Sequence, residues 1–142
     1  MARKSVTGAG VLVAKFKLTP ITPTEHQIQS AFFEWCRLNE RKYPELKHGM
    51  FSTMNGVRLP IGLAMKVKRQ GAKKGTADVI FICLRRDKSG IAAEFKRPSS
   101  NSKLSPEQVD FLSYAESQNF VVHVWRTVDE AINATVRYLE SK

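Results

Sequence analysis

Apolar positions change their spacing along this chain, and each change marks an element. From about Thr24 to Asn39 they fall at helical intervals, Ile28, Phe32, Trp35 and Leu38, and predict an amphipathic helix with one buried stripe. Thr24 offers a side-chain oxygen as its N-cap. Glu25 and Gln29 lie on the stripe's side of that helix. Polar groups beside a core must find partners, so neither is expected to be idle. Residues 40–59 show no period and carry Pro44, Gly49 and the turn pair Asn55-Gly56, so they read as irregular. Leu59-Pro60-Ile61 then opens a short basic helix that runs to about Gln70, with Pro60 suited to the first helical position and Gly71 to the stop. A loop, Gly71 to Gly75, follows.

The spacing then shifts. Ala77 to Leu84 is a nearly continuous apolar run, Arg85 to Gly90 is a polar turn, and Ile91 to Lys96 is a second run; together they predict an antiparallel hairpin covered on both faces. Ser105, Pro106 and Gln108 form a capping box that opens a helix to about Gln118. Phe120 to Trp125 is an apolar strand, and Thr127 with Glu130 reads as a second capping box opening a helix to about Glu140. A strand, a helix and a strand in succession imply a parallel pair joined to the hairpin. The class is α/β, a single domain with a mixed sheet flanked by helices, order α-β-β-α-β-α, over residues 24–142. Residues 1–23, broken off by Pro20 and Pro23, read as an arm or edge strand. Its apolar run, Ala9 to Ala14, is too short for a secretory signal.

Composition adds two constraints. The chain has 142 residues, enough for one core, and no apolar run long enough to span a membrane. Its two cysteines, Cys36 and Cys83, fall in a predicted helix and strand and read as buried thiols in a reducing compartment. Charge changes the picture more. The net charge is +10, and residues 66–103 alone carry eleven basic and three acidic residues. A face that only keeps a protein soluble mixes its signs, so this stretch points to a polyanion.

Candidate chemistry lies inside that basic stretch. If the hairpin turn centres on Arg86, Asp78 and Glu94 stand directly opposite each other. Glu94 and Lys96 share a face, being two residues apart. Two adjacent carboxylates resist joint ionisation unless a cation joins them. A hard divalent ion such as Mg²⁺ suits oxygen ligands of this kind, and it can polarise a phosphoryl oxygen and acidify a bound water. A lysine beside it can orient that water or offset charge developing on the phosphate. The same three residues also suit an ordinary cross-strand salt bridge. His26, His48 and His123 have no zinc-ligand spacing with the cysteines, and His123, within an apolar strand, reads as packed or surface. Trp35 and Trp125 read as packing residues.

Five segments in register, Glu25-His26-Gln27-Ile28-Gln29, Asn55-Gly56-Val57-Arg58, Gly71 to Asp78, Glu94-Phe95-Lys96 and Leu104 to Gln108, resemble the VRR-NUC family of virus-type replication-repair nucleases, within the PD-(D/E)xK superfamily. The likeness covers about residues 24 to 139. It implies that Asp78 and Glu94, with the backbone carbonyl of Phe95, bind Mg²⁺ or Mn²⁺, and that Lys96 positions the attacking water. Gln108 matches the family's glutamine, which contacts the catalytic lysine region or the DNA backbone; its capping role is compatible with that. Glu25 matches a helix-borne acid, a second-metal or water-mediated ligand, or else only favours the helix dipole. Gly75 lets the loop approach a phosphate, or is a plain turn glycine. Ala77 departs from the family, which usually has proline there. Lys66, Lys68, Arg69, Lys73, Lys74, Arg97 and Lys103 are the candidates for phosphate contacts. Stand-alone members resemble Holliday-junction resolvases that act as homodimers, so the resemblance implies a structure-selective endonuclease on four-way DNA junctions. A flap or single-strand nuclease is the alternative, or a basic DNA-binding module without activity. The implied setting is the cytoplasm of a bacterium or of a phage-infected host.

Overall fold

A computed structural model describes residues 21–98 and 101–142. The first 20 residues of the predicted arm lie outside the described residues. Along the described residues the order is α1 (Glu25–Asn39), α2 (Glu45–Gly49), β1 (Met50–Ser52), α3 (Ile61–Arg69), β2 (Val79–Arg85), β3 (Lys88–Phe95), α4 (Pro106–Ser117), β4 (Phe120–Trp125) and α5 (Val128–Glu140). The strands form one mixed sheet in the order β1-β2-β3-β4. The β1–β2 and β2–β3 pairs are antiparallel, and β3–β4 is parallel with α4 as the crossover. This is the expected α/β class.

The side-chain period of two splits the hairpin between two layers. Odd-numbered residues, Val79, Phe81, Ile91, Ala93 and Phe95, face the larger core with α1 and α5. Even-numbered Ile80 and Ala92 face α4 with Leu112 and Ala115. Phe32 of α1 packs 5.9 Å from the Phe95 ring and 5.2 Å from Trp125. Burying it contributes about 2 kcal/mol and seats α1 against the ends of β3 and β4. That contact holds the start of α1 above the end of the hairpin.

Several expectations need correction. On α1 the buried row is Ile28, Phe32 and Cys36, spaced by four, while Leu38 is 74% exposed and Trp35 only flanks the core. The stretch 40–59 is not irregular throughout: α2 and β1 lie in it, each too short to print a period on the sequence. Pro60 is the N-cap of α3 rather than its first residue. The hairpin is covered on both faces along β3 but not along β2, where Ile82 (61%) and Leu84 (73%) stay exposed because α4 covers only the β3–β4 side. At α5 only half a capping box forms. Thr127 accepts from the Glu130 amide at 3.1 Å, but the Glu130 carboxylate accepts from the Arg126 amide at 2.7 Å.

The predicted turn Arg85–Gly90 is mostly strand: β3 begins at Lys88 and ends at Phe95, because Arg85 pairs with Lys88 and Ile82 with Gly90, leaving Arg86 and Asp87 between the strands. Both bonds of the Ser105–Gln108 box are present. Gly71 ends α3 with φ +101°. Cys36 and Cys83 are free and buried, and burial pushes the Cys36 thiol up to about 12. His123 is half-buried, stacks 5.6 Å from the Trp125 ring, and is held below its usual pKa by burial. No described helix is long and apolar enough to cross a membrane.

Candidate active site

The start of β2 is held from outside. Thr53, just beyond β1, donates its hydroxyl to the Ala77 carbonyl at 2.6 Å and its amide to the Asp78 carbonyl at 3.0 Å. The backbone at the Ala77 position, where the family usually has proline, is thus fixed by hydrogen bonds. The hairpin register pairs Val79 with Ala93 and Phe81 with Ile91. Continued by one residue, it sets Asp78 opposite Glu94, as the turn arithmetic expects. Glu94 and Lys96, two residues apart, share the α4 side of the sheet, where both meet Gln108.

Each carboxylate is tied down from one direction. Asp78 Oδ2 accepts the Phe95 amide at 2.8 Å. The Lys96 amide points the other way, to the Trp125 carbonyl at 2.9 Å. In an extended strand the N–H and C=O of one residue leave by the same edge, so the Phe95 carbonyl is directed to the Asp78 side. Glu94 is only 3% exposed. Its Oε1 accepts from Gln108 Nε2, and its Oε2 is buried with no hydrogen-bond partner among the described residues. Gln108 is the hub. Its Oε1 accepts the Ser105 amide at 2.8 Å and the Lys96 ammonium at 3.3 Å. The capping bond and the contacts to Lys96 and Glu94 therefore coexist: Oε1 accepts from both Ser105 and Lys96, while Nε2 donates to Glu94.

The electrostatics follow from burial. Burial is the main cause that raises Glu94, up to about 8, and the neighbouring Asp78 charge adds to it. Asp78 is raised as well, mainly by burial and further by Glu25, while the Phe95 amide and Lys96 oppose the shift. A buried carboxylate oxygen without a donor is costly, and such groups call for an explanation. A divalent cation would supply one: it would satisfy the orphaned oxygen and let both acids ionise together. The oxygen-only donor set fits a hard ion such as Mg²⁺ or Mn²⁺. Among the described residues no three of His, Cys, Asp and Glu converge on one point, so the acids close around the site as a pair.

This pair opens into a cleft of about 840 Å³. Glu25, Gln29, Lys74, Gly75, Lys96 and Gln108 contribute to its walls. Gly75 is required for packing: its φ is +84°, and a Cβ there would lie 2.5 Å from Glu107 Cβ and 2.6 Å from the Glu107 carbonyl carbon. Lys74 pairs with Glu107 at 3.2 Å. The other predicted phosphate contacts stand away from the cleft walls. Lys66, Lys68 and Arg69 lie on α3, none of whose residues is buried. Lys73, Arg97 and Lys103 are exposed in the flanking loops. Sequence reasoning misses Ser52 and Thr53, and reads Asn55 only as part of a turn and of a family segment. Ser52 accepts from Gln29 at 3.1 Å and so ties α1 to β1, and Asn55 donates to the Thr76 carbonyl. The signal was the Ser-Thr pair before Asn55-Gly56, legible only once β1 is known to end there.

No protein-family model and no curated protein matches this chain. A solved structure described as "VRR_NUC domain protein" superposes with a TM-score of 0.66 at 23% identity, over 84% of this chain and 93% of that one. The resemblance drawn from the five sequence segments thus extends to the architecture, and this chain has the fold of a VRR-NUC domain protein.

Proposed function

We propose that the protein is a metal-dependent, structure-selective DNA endonuclease that hydrolyses phosphodiester bonds. One observation carries this reading above the others: a buried glutamate with an orphaned oxygen faces an aspartate across the hairpin, with a lysine two residues further on the same face. A salt bridge would not need the orphaned oxygen, and a plain binding module would not need the acids, which oppose an anionic ligand.

Asp78, Glu94 and the Phe95 carbonyl would hold Mg²⁺ or Mn²⁺. Such an ion polarises the phosphoryl oxygen and lowers the pKa of a bound water. Lys96 orients the attacking water and offsets charge that builds on the phosphate. Gln108 keeps the Lys96 ammonium and the Glu94 carboxylate at fixed separation by bonding both. Glu25, which lines the cleft, would take a water-mediated role. Lys66, Lys68, Arg69, Lys73, Lys74, Arg97 and Lys103 hold the DNA backbone, with no helix suited to reading bases among the described residues. A homodimer acting on four-way junctions is the proposed form, because a two-fold pair of sites matches two symmetry-related strands. Buried free thiols support a reducing cytoplasm as the setting.

The test is cleavage of a labelled four-way junction, a flap and a linear duplex with Mg²⁺ or Mn²⁺, against EDTA. Branched substrates are cut and EDTA stops the reaction. Asp78→Asn and Lys96→Ala each lower cutting by about 10²-fold or more while DNA binding persists. Binding of every substrate with no product in either metal contradicts the reading, as does wild-type cutting by either variant.

A further inference from the structure

On α1, Glu25, Gln29, Phe33 and Arg37 recur every four residues, and all four line the cleft that holds Asp78 and Glu94. From Glu25 to Arg37 the helix rises roughly 18 Å, so the cleft is a groove with room for a few nucleotides of extended strand. Its walls change character along that length. At one end are the carboxylates with Lys96 and Lys74. Between the ends α1 contributes Phe33, and the lining also includes the apolar Met54 and Val57. Met54 is 67% and Val57 51% exposed, so this apolar lining is open to a ligand. Phe33 is half-buried and braced edge-on against Phe32, with centroids 5.6 Å apart at 70°. At the other end stands Arg37, whose partner is Glu34 at 2.6 Å. Both side chains of that pair are about 60% exposed, at 62% and 59%, and such a pair is weak enough to exchange for a phosphate.

A polar catalytic end, an apolar aromatic middle and a cationic far end match a strand whose bases are unstacked. Duplex DNA keeps its base faces inside the stack, whereas an unpaired strand offers them to an aromatic ring. We propose that this groove is a track for unpaired nucleic acid beside the scissile phosphate, in which Phe33 stacks a base and Arg37 contacts a phosphate beyond it. The track deepens the nuclease reading and rests on it. It selects substrates with an unpaired strand at the cut, a flap or an opened junction crossover, over continuous duplex. Stacking is tolerant of base identity, so no sequence preference accompanies it.

Anisotropy titrations with a short labelled oligothymidine and a blunt duplex, in Ca²⁺, test the track. They compare the wild type, Phe33→Leu, Arg37→Gln and the control Arg41→Gln, which removes an exposed arginine outside the groove. Phe33→Leu and Arg37→Gln each weaken oligothymidine binding about tenfold and duplex binding by less than about threefold. If Phe33→Leu melts early, the exposed Arg37 site alone decides. Oligothymidine affinity in Arg37→Gln equal to that of Arg41→Gln overturns the track. Mn²⁺-dependent flap cutting by the wild type is read in parallel. Cutting with unchanged variant affinities removes the track and leaves the nuclease. Weakened variant binding with no wild-type cutting in Mg²⁺ or Mn²⁺ removes the nuclease reading and leaves the track as a strand-binding groove.

Discussion

Glu94 shows how a single residue can work against the stability of the fold it belongs to. In the folded chain its carboxyl holds a proton up to about pH 8, against an ordinary value of 4.5. Between those values the folded state binds more protons than the unfolded state, so stability falls as pH rises through that window. In EDTA the melting temperature is expected to drop by several degrees from about pH 5 to about pH 8. Glu94→Gln, which keeps the shape and the Gln108 contact, flattens that slope and melts higher than wild type at about pH 8. Added Mg²⁺ then raises the wild type and leaves the variant unmoved. Thermal melts across the pH series check this, and parallel slopes for the two proteins would contradict it. The opposition of Asp78 and Glu94 was legible in the sequence because register in a short hairpin follows from the turn centre. The depth of Glu94's burial was not. It depends on α4 closing over β3, a contact between residues far apart in the chain.

At the scale of elements, what the sequence revealed depended on length. Helices of twelve residues or more and strands of six or more announced themselves by period and caps, as α1, α4, α5, β2, β3 and β4 did. β1, with three residues, has no period to read, yet it carries the Ser52–Gln29 link and leads into Thr53, which fixes Asp78. Leu38 misled because it completes a plausible helical stripe; Cys36 takes the buried position because α1 packs along an i, i+4 row. Gly75 is where a loop and a helix meet. Gly75→Ala combines a left-handed backbone with contact against Glu107, and is expected to cost more than about 1 kcal/mol. Chemical denaturation measures that loss. A variant as stable as wild type would mean that the loop does not lie against α4.

For the whole molecule the governing quantity is charge. Residues 66–103, which include the last turn of α3, carry eleven basic and three acidic residues within a chain of net charge +10, so DNA affinity is expected to depend steeply on salt. Replacing Lys66, Lys68 and Arg69 together by glutamine is expected to weaken binding of all DNA forms alike. It also makes the slope of log K against log salt shallower by about one for each phosphate that no longer meets a cation. Titrations at several salt concentrations read this directly, and an unchanged slope would place DNA on another face. The α/β class and the parallel pairing beside the hairpin were open to sequence reading because α4 joins β3 and β4 by a crossover with one favoured hand, whereas the place of β1 at the sheet edge was not. The uncovered side of β2, with Ile82 and Leu84 exposed, was not, since periodicity reports that a strand is apolar but not which neighbour covers it.

Anomalous scattering from a crystal grown in manganese chloride bears most directly on the central claim. A peak within coordination distance of one oxygen each of Asp78 and Glu94, with the Phe95 carbonyl completing the protein ligands and Lys96 alongside, is the predicted result. A fully ordered Glu94 that stays bonded to Gln108 at saturating manganese, with no anomalous density against either carboxylate, would contradict it.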